Sequence, residues 1–279
     1  MISIVIAAYN SGKSIEKTID SVLNQASVDW ELVIIDDGST DNTRDVIRRY
    51  NDQRLKYYYQ ANQGVTAARN FGVTKTKGDY LIFLDADDEF FENTIADFIQ
   101  ILKDNKNVGI ASGSYIHSPN IVIKPRNKGV LFQNFKLNNL VGSYIVSKDL
   151  FNTVGGYDKN LSYSENWELF IRLTNFCKKK ELQVVRGDFL TFKYNYNDSE
   201  VKNTLRKNKI IQTYIYLYKK YKQLQETNYN YPFSFAETIA FNAFQLDKKK
   251  ESLYWQAKAI NNNFTNLKAY LKFFRYLIF

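Results

Sequence analysis

The 279-residue chain holds one cysteine, Cys177, and one histidine, His117. A single thiol excludes a disulfide framework, so nothing points to an oxidising compartment. Cys177 falls in the helical pattern LFIRLTNFCKKK and reads as a packed residue rather than a reactive one. His117 has no second histidine or cysteine cluster to share a metal with, which excludes a zinc site of the usual kind. It is read as a loop or cleft-wall residue. No apolar run reaches the ~18 residues of a membrane-spanning helix. The amino terminus opens on a strand-like run with no basic leader before it, the pattern of a cytoplasmic protein. The loop after that first run, Tyr9-Asn10-Ser11-Gly12-Lys13, offers one glycine. A glycine-rich, basic phosphate loop, as a sugar-phosphate nucleotidyltransferase would need, is therefore missing.

Among what is present, Phe83-Leu84-Asp85-Ala86-Asp87-Asp88 is the most informative stretch. It follows GDYLIFL (78–84), an apolar run bounded by turn residues that reads as a buried strand. Period-2 geometry places Asp85 and Asp87 on one side of the chain. Two carboxylates that close repel unless a cation lies between them. Mg²⁺ and Mn²⁺ favour oxygen ligands of this type and leave positions for substrate phosphates. The motif alone also fits a solvated acidic turn.

Three upstream segments add to it. ISIVIAAYN (2–10) and ELVIIDDGSTDNT (31–43) are apolar strands that break into polar residues, and NQGVTAARNFG (62–72) is a loop leading into a helix that carries Arg69. Amphipathic patterns follow, as in SIEKTIDSVLNQ (14–25) and TRDVIRRY (43–50). Alternating strands and helices argue a parallel sheet covered on both faces. Ligands bind beyond the carboxyl ends of such strands, where Tyr9, Asp37 and Asp85 fall.

The ordered run SIVIAAYN, LVIIDDGSTD, NQGVTAARN and GDYLIFLDADD resembles family 2 glycosyltransferases of the GT-A fold, with a weaker match through residues 141–158 and 164–173. The resemblance covers about the first two-thirds of the chain. It implies an α/β fold: a Rossmann-like, mostly parallel sheet flanked by helices, here followed by a C-terminal helical extension. It further implies inverting transfer of a sugar from a nucleotide sugar, UDP-linked, to a hydroxyl of a glycan or glycolipid in bacterial surface polysaccharide synthesis. In the donor site Ala7 and Tyr9 line the base pocket, Asp37 accepts from the base imide, Arg69 reaches base or diphosphate, and Asp85 and Ala86 contact the nucleotide sugar. Asp87, with Asp85, holds Mn²⁺ or Mg²⁺. Each residue has a plainer reading too: Tyr9 as a strand-end aromatic, Asp37 as a turn former before Gly38, Arg69 as a surface charge.

Many relatives carry Glu-Asp where this chain reads Ser164-Glu165-Asn166-Trp167-Glu168, and the aspartate is taken as the base. Asn166 cannot accept a proton at neutral pH. Glu165 is the substitute and Glu168 the second candidate, since both fall on one helical face and so look into one cleft. Glu168 also fits a helix N-terminal carboxylate. Trp167 and Asp158 are candidates for the acceptor site. Processive members carry a Gln-x-x-Arg-Trp signature and several membrane spans; neither occurs here, which favours single additions. Because of Asn166, a nucleotide-sugar-binding protein without transfer activity, acting as a membrane or partner adaptor, is the alternative.

Residues 201–279 carry 14 Lys+Arg against 4 Asp+Glu, so the chain's whole excess of +9 lies there. Strand signals fade and helical patterns take over at 206–226, 233–260 and 266–279, with a hairpin turn near Asp247 to Lys250. The expected division is a catalytic domain at 1–198 and a basic, aromatic-rich helical extension at 199–279. The extension fits a peripheral membrane contact, a partner surface, or a plain helical subdomain with a solvated lysine face. Without a recognition motif, nucleic acid is not an expected partner.

Overall fold

A computed structural model describes residues 1–26, 29–117, 120–194, 200–222, 231–263 and 265–278. The chain forms two compact units, 1–160 with 165–196 and 161–164 with 197–279. The expected boundary at 198/199 lies outside the described residues.

In the first unit the strands are β1 (Ile2–Ala8), β2 (Trp30–Asp37), β3 (Leu55–Gln60), β4 (Tyr80–Asp85), β5 (Glu89–Phe90), β6 (Val108–His117), β7 (Ile121–Ile123), β8 (Arg126–Asn127), β9 (Lys136–Leu137), β10 (Tyr144–Ser147) and β11 (Gln183–Tyr194). The helices are α1 (Ile15–Leu23), α2 (Thr43–Ile47), α3 (Val65–Lys75), α4 (Thr94–Asp104), α5 (Lys148–Thr153) and α6 (Glu165–Lys180). The main sheet runs β3-β2-β1-β4-β10-β6-β11-β5, with β7 paired to β6. Strands β3, β2, β1 and β4 are parallel, as the alternating patterns require, but β10 is antiparallel to both neighbours. The sheet is therefore mixed.

Side-chain alternation sorts the core into two layers. Ile4, Ile6, Leu32, Ile34, Ile82 and Leu84 join Ile15, Ile19 and Val22 of α1 and Ile95 and Phe98 of α4. On the opposite face Val33 and Ile35 meet Ala68 of α3, and Phe83 packs against Phe151 and Tyr157. The chain walks β1, β2, β3 in one direction and then places β4 on the other side of β1. That reversal opens a crevice at the carboxyl ends of β1 and β4.

Near the other end of the sheet, Glu31 is 4% exposed. Its carboxylate accepts from Ser3 Oγ at 2.8 Å, from the N–H groups of Lys77 and Gly78, and from Lys56 Nζ. Burial pushes the Glu31 carboxyl up, but Lys56, the Lys77 N–H and Ser3 outweigh it and hold the group below its usual range. A pKa lower in the folded than in the unfolded chain contributes stability above the unfolded value and loses it as pH falls through the folded one. Glu31→Gln should cost about 2 kcal/mol at neutral pH. The gap between variant and wild-type melting temperatures should then narrow below the ordinary glutamate pKa. A gap that stays constant down to acid pH would refute this.

The second unit contains α7 (Glu200–Lys222), α8 (Tyr231–Gln245), α9 (Lys249–Asn262) and α10 (Leu267–Ile278). The hairpin turn falls at Leu246–Lys248, with Asp247 in the left-handed region, as expected from the sequence. Its core is aromatic: Phe235 meets Tyr214 and Tyr221, Trp255 meets Tyr218, and Phe244 stacks on Tyr276. Among the described residues, no helix is long and apolar enough to cross a membrane.

Candidate active site

A cleft of about 570 Å³ opens at the carboxyl ends of β1, β2 and β4. Ala7, Ala8, Tyr9, Asn10, Ser11 and Ser14 form one wall, Asp37, Asn62, Gly64 and Val65 another, and Asp85, Ala86 and Asp87 the third. Six of the proposed donor-site residues are thus brought together: Ala7, Tyr9, Asp37, Asp85, Ala86 and Asp87. Strand pairing sets Ala7 beside Asp85. Tyr9 lies just past β1 and is 52% exposed.

Asp37 ends β2 and is 3% exposed. Its Oδ1 accepts from Gln60 Nε2 at 2.7 Å and from the Gln63 N–H at 2.9 Å, and its Oδ2 accepts from the Gly64 N–H at 2.8 Å. The carboxylate therefore fastens the 62–64 loop to the strand end. Glycine is required twice for this. Gly38 has φ +78, and a Cβ there would stand 2.7 Å from the Asn62 backbone nitrogen; Gly64 has φ +88 at the start of α3. A carboxylate offers about four acceptor positions, and these bonds take three.

Asp85 ends β4, whereas Asp87 sits on the turn beyond it, closed by the Asp88 N–H to the Asp85 carbonyl at 3.2 Å. The period-2 argument is therefore not what unites the two carboxylates. The turn does so, and Ser14 Oγ holds it by donating to the Ala86 carbonyl at 2.9 Å. Burial, and then the Asp85 charge, raise the Asp87 carboxyl above its usual range. A divalent cation would relieve both effects, so the donor set fits one. Among the described residues no cluster of three or more metal-ligating side chains occurs. The chain would supply two carboxylates and leave the other positions to phosphate oxygens and water, the habit of Mg²⁺ and of Mn²⁺.

Arg69 is 2% exposed and stands behind the cleft wall rather than on it. Its Nη2 donates to Asp85 Oδ1 at 2.6 Å and its Nη1 to Glu165 Oε1 at 3.0 Å. Burial alone would lower its pKa, but Asp85, Tyr157 and Glu165 outweigh it and keep the guanidinium firmly charged. The surface-charge reading of Arg69 thus fails.

Glu165 opens α6 with its side chain 14% exposed. Oε1 accepts from Arg69 and, at 3.3 Å, from Asn166 Nδ2. Asn166 is itself fixed, since its Oδ1 accepts from Tyr157 OH at 2.8 Å, with Tyr144 OH 3.4 Å away. The two tyrosines bond each other at 2.9 Å, and burial raises both phenols. Asn70 clamps Tyr157 through its backbone N–H and carbonyl. Sequence reasoning passed over Tyr144, Tyr157, Asn70, Gln60 and Gln63. Tyr157 follows the Gly155-Gly156 turn and was the most visible of them.

Glu168 does not share a cleft with Glu165. It is 0% exposed, and Arg172 grips it with Nε at 2.9 Å and Nη2 at 2.6 Å. Arg172 also donates to the Val154 carbonyl, which pins α6 to the end of α5. Helical spacing puts 165 and 168 near one face, but the packed interior takes the second carboxylate. Trp167 is half-buried, edge-on to Phe132 at 5.6 Å between ring centroids. Asp158 Oδ1 accepts from the Asn160 N–H at 3.0 Å, closing its own turn. Neither lines the cleft at the carboxyl ends of β1, β2 and β4. His117 ends β6 beside the Tyr194 ring. Cys177 is buried in α6, and burial pushes its thiol up to about 12, so it is inert.

Comparison with known proteins bears on the family and the fold. The chain is 30% identical over 185 residues to an uncharacterized glycosyltransferase of Rickettsia typhi, covering 62% of the chain and 58% of the relative. It is 30% identical over 225 residues to the poly(ribitol-phosphate) beta-N-acetylglucosaminyltransferase TarP of Staphylococcus aureus, covering 75% and 66%. The chain thus spans less than two thirds of either relative. Its fold is similar to that of S. aureus TarS 1-349 in complex with UDP-GlcNAc: TM-score 0.62 at 16% identity, over 97% of this chain and 91% of the other. It is also similar to the mannosyltransferase PcManGT of Pyrobaculum calidifontis in complex with GDP-Man and Mn²⁺: TM-score 0.61 at 16% identity, over 99% and 84%. The architecture is of the GT-A type, with a helical region at the carboxyl side. The family model described as Glycosyl transferase family 2 matches residues 3–164, more than half of the molecule, and the chain belongs to that family.

Proposed function

We propose that this chain moves a single sugar from a UDP-sugar to a hydroxyl of a glycan or lipid-linked acceptor in bacterial surface polysaccharide synthesis, with inversion at the anomeric carbon. The observation that carries this reading is the connection Asp87–Asp85–Arg69–Glu165: one buried arginine joins the acidic turn of the donor cleft to a carboxylate suited to act as base. Tyr9 would pack on the base. The acceptor position left on Asp37 matches a single imide N–H, which uracil has and cytosine lacks. TarP transfers N-acetylglucosamine by its name, and TarS was seen with UDP-GlcNAc, so UDP-N-acetylhexosamines lead the donor candidates.

The acceptor hydroxyl forms the new C–O bond as the bond to the nucleoside diphosphate breaks. The hydroxyl proton passes to Glu165 Oε2, because Oε1 is already held by Arg69 and Asn166. A bound divalent cation, held by Asp85 and Asp87, would neutralise charge on the departing diphosphate. Arg69 keeps Asp85 aimed into the cleft and adds positive charge behind it. Glu168, paired with Arg172, anchors α6 and takes no proton. Trp167 is proposed to offer an edge to the acceptor sugar, and Asp158 to shape the loop beside it.

The reading is tested by a panel of UDP-sugars with Mn²⁺, scored for UDP release with and without a chelator. One donor should release UDP, and chelation should stop it. In Asp87→Asn, which keeps an oxygen ligand but loses a charge, half-maximal activity should need about ten- to a hundredfold more metal. If no UDP or other nucleotide binds in the presence of metal, the donor-site assignment is wrong. Metal-dependent binding without transfer to any acceptor would instead favour a binding protein.

A further inference from the structure

Helix α10 divides lengthwise into three sectors. Ala269 and Tyr276 face inward, 0% and 3% exposed, with Tyr276 stacked on Phe244 at 4.6 Å between centroids. Leu267, Leu271, Phe274 and Ile278 follow one another at intervals of four, three and four residues, which places them in a line on one side of a helix. They are 73%, 63%, 56% and 72% exposed. Lys268, Lys272 and Arg275 repeat that spacing one position on, so an exposed cationic row runs beside the apolar line.

A lone exposed leucine needs no explanation, but four large apolar side chains in one line do. The row beside them indicates what covers them. An anionic lipid surface receives both at once: side chains at the acyl boundary and ammonium and guanidinium groups at the phosphates. The charge distribution agrees, since residues 201–279 hold the whole positive excess of the chain. With 12 residues, α10 extends about 18 Å, too short for the ~30 Å hydrocarbon core, so it would lie along a membrane and not across it. We propose that α10 docks flat on an anionic lipid surface, with Leu267, Leu271, Phe274 and Ile278 inserted and Lys268 and Arg275 at phosphate level. Lys272 shares its charge with Glu237 at 2.8 Å and contributes less. The proposal rests on the helix alone and is independent of the donor chemistry.

Flotation of the full chain with vesicles tests it. Vesicles of phosphatidylcholine with about a third phosphatidylglycerol should carry the protein up, and phosphatidylcholine alone should carry far less. Lys268→Gln with Arg275→Gln should weaken binding roughly 30-fold and flatten its salt dependence. Leu271→Ser with Phe274→Ser should weaken it at least about a hundredfold. All four side chains are exposed, so both variants should melt with the wild type. Failure of the wild type to float with the mixed vesicles, or flotation unchanged in the serine variant, would overturn the proposal. Light scattering adds a third outcome. A wild-type oligomer that the serine variant dissolves, with no vesicle binding, would assign the face to a second copy of the chain and overturn the lipid assignment.

Discussion

Glu165→Gln should lower sugar transfer about 10²- to 10⁴-fold while leaving donor binding within about twofold of wild type. The substitution is nearly isosteric. A carboxamide oxygen still accepts from Arg69 Nη1 and Asn166 Nδ2, the two donors that hold Oε1 now. What is lost is the second carboxylate oxygen, which becomes an amide that cannot take a proton. The loss should therefore appear in kcat with transfer to an acceptor hydroxyl, and calorimetric affinity for UDP with metal should be preserved. Glu168→Gln supplies the contrast. Its carboxylate is fully buried on Arg172, so the variant should lose stability rather than base function. Transfer at wild-type rate in Glu165→Gln, with Glu168→Gln inactive but folded, would reverse the assignment of the base.

The two residues also show where the sequence was legible. The strands read from apolar runs that end in polar residues are present, because parallel strands buried on both faces leave that record. The position of the cleft followed, since ligand sites in such sheets collect at strand ends, and Tyr9, Asp37 and Asp85 are strand-end residues that line it. Strand β10 left no comparable record: it is four residues long and lies between two antiparallel neighbours. Strand β6 is rich in glycine, serine and alanine and lacks the apolar signature. At the site, spacing along α6 suggested that residues 165 and 168 share a cleft, but whether Glu168 meets solvent or Arg172 is settled by tertiary packing. Asn166 was conspicuous as a departure from the family pattern. Its contacts with Tyr144 and Tyr157 reach a residue 22 positions away and another 9 away, which no local pattern announces. Arg69 was read toward the base or diphosphate, and its bond to Glu165 went unseen for the same reason, since Glu165 lies 96 residues further along.

Arg69→Met should damage both fold and chemistry. Methionine is of similar length and can pack on the Tyr157 ring, but loss of the guanidinium leaves Glu165, only 14% exposed, without a cation. Breaking a buried pair costs roughly 3–5 kcal/mol; Asp85 is 36% exposed and can be rehydrated, so the lower figure, about 3 kcal/mol, applies. For a domain of this size that corresponds to a fall of about 6–12 °C in Tm. Transfer should fall by at least about a hundredfold at temperatures where the variant is folded, because Glu165 and Asp85 lose their common anchor and small misplacements of reacting groups are costly. Arg69→Lys separates the two effects. An ammonium restores the charge and part of the stability, but as a single point donor it cannot span Asp85 and Glu165 with the fixed fork of a guanidinium. Its Tm should recover more than its kcat. If transfer in Arg69→Lys returns to within threefold of wild type, charge alone suffices and the bridge is not what positions the base. If Arg69→Met stays fully active, the arginine is a structural ion pair, and the connection from the acidic turn to Glu165 has no part in the reaction.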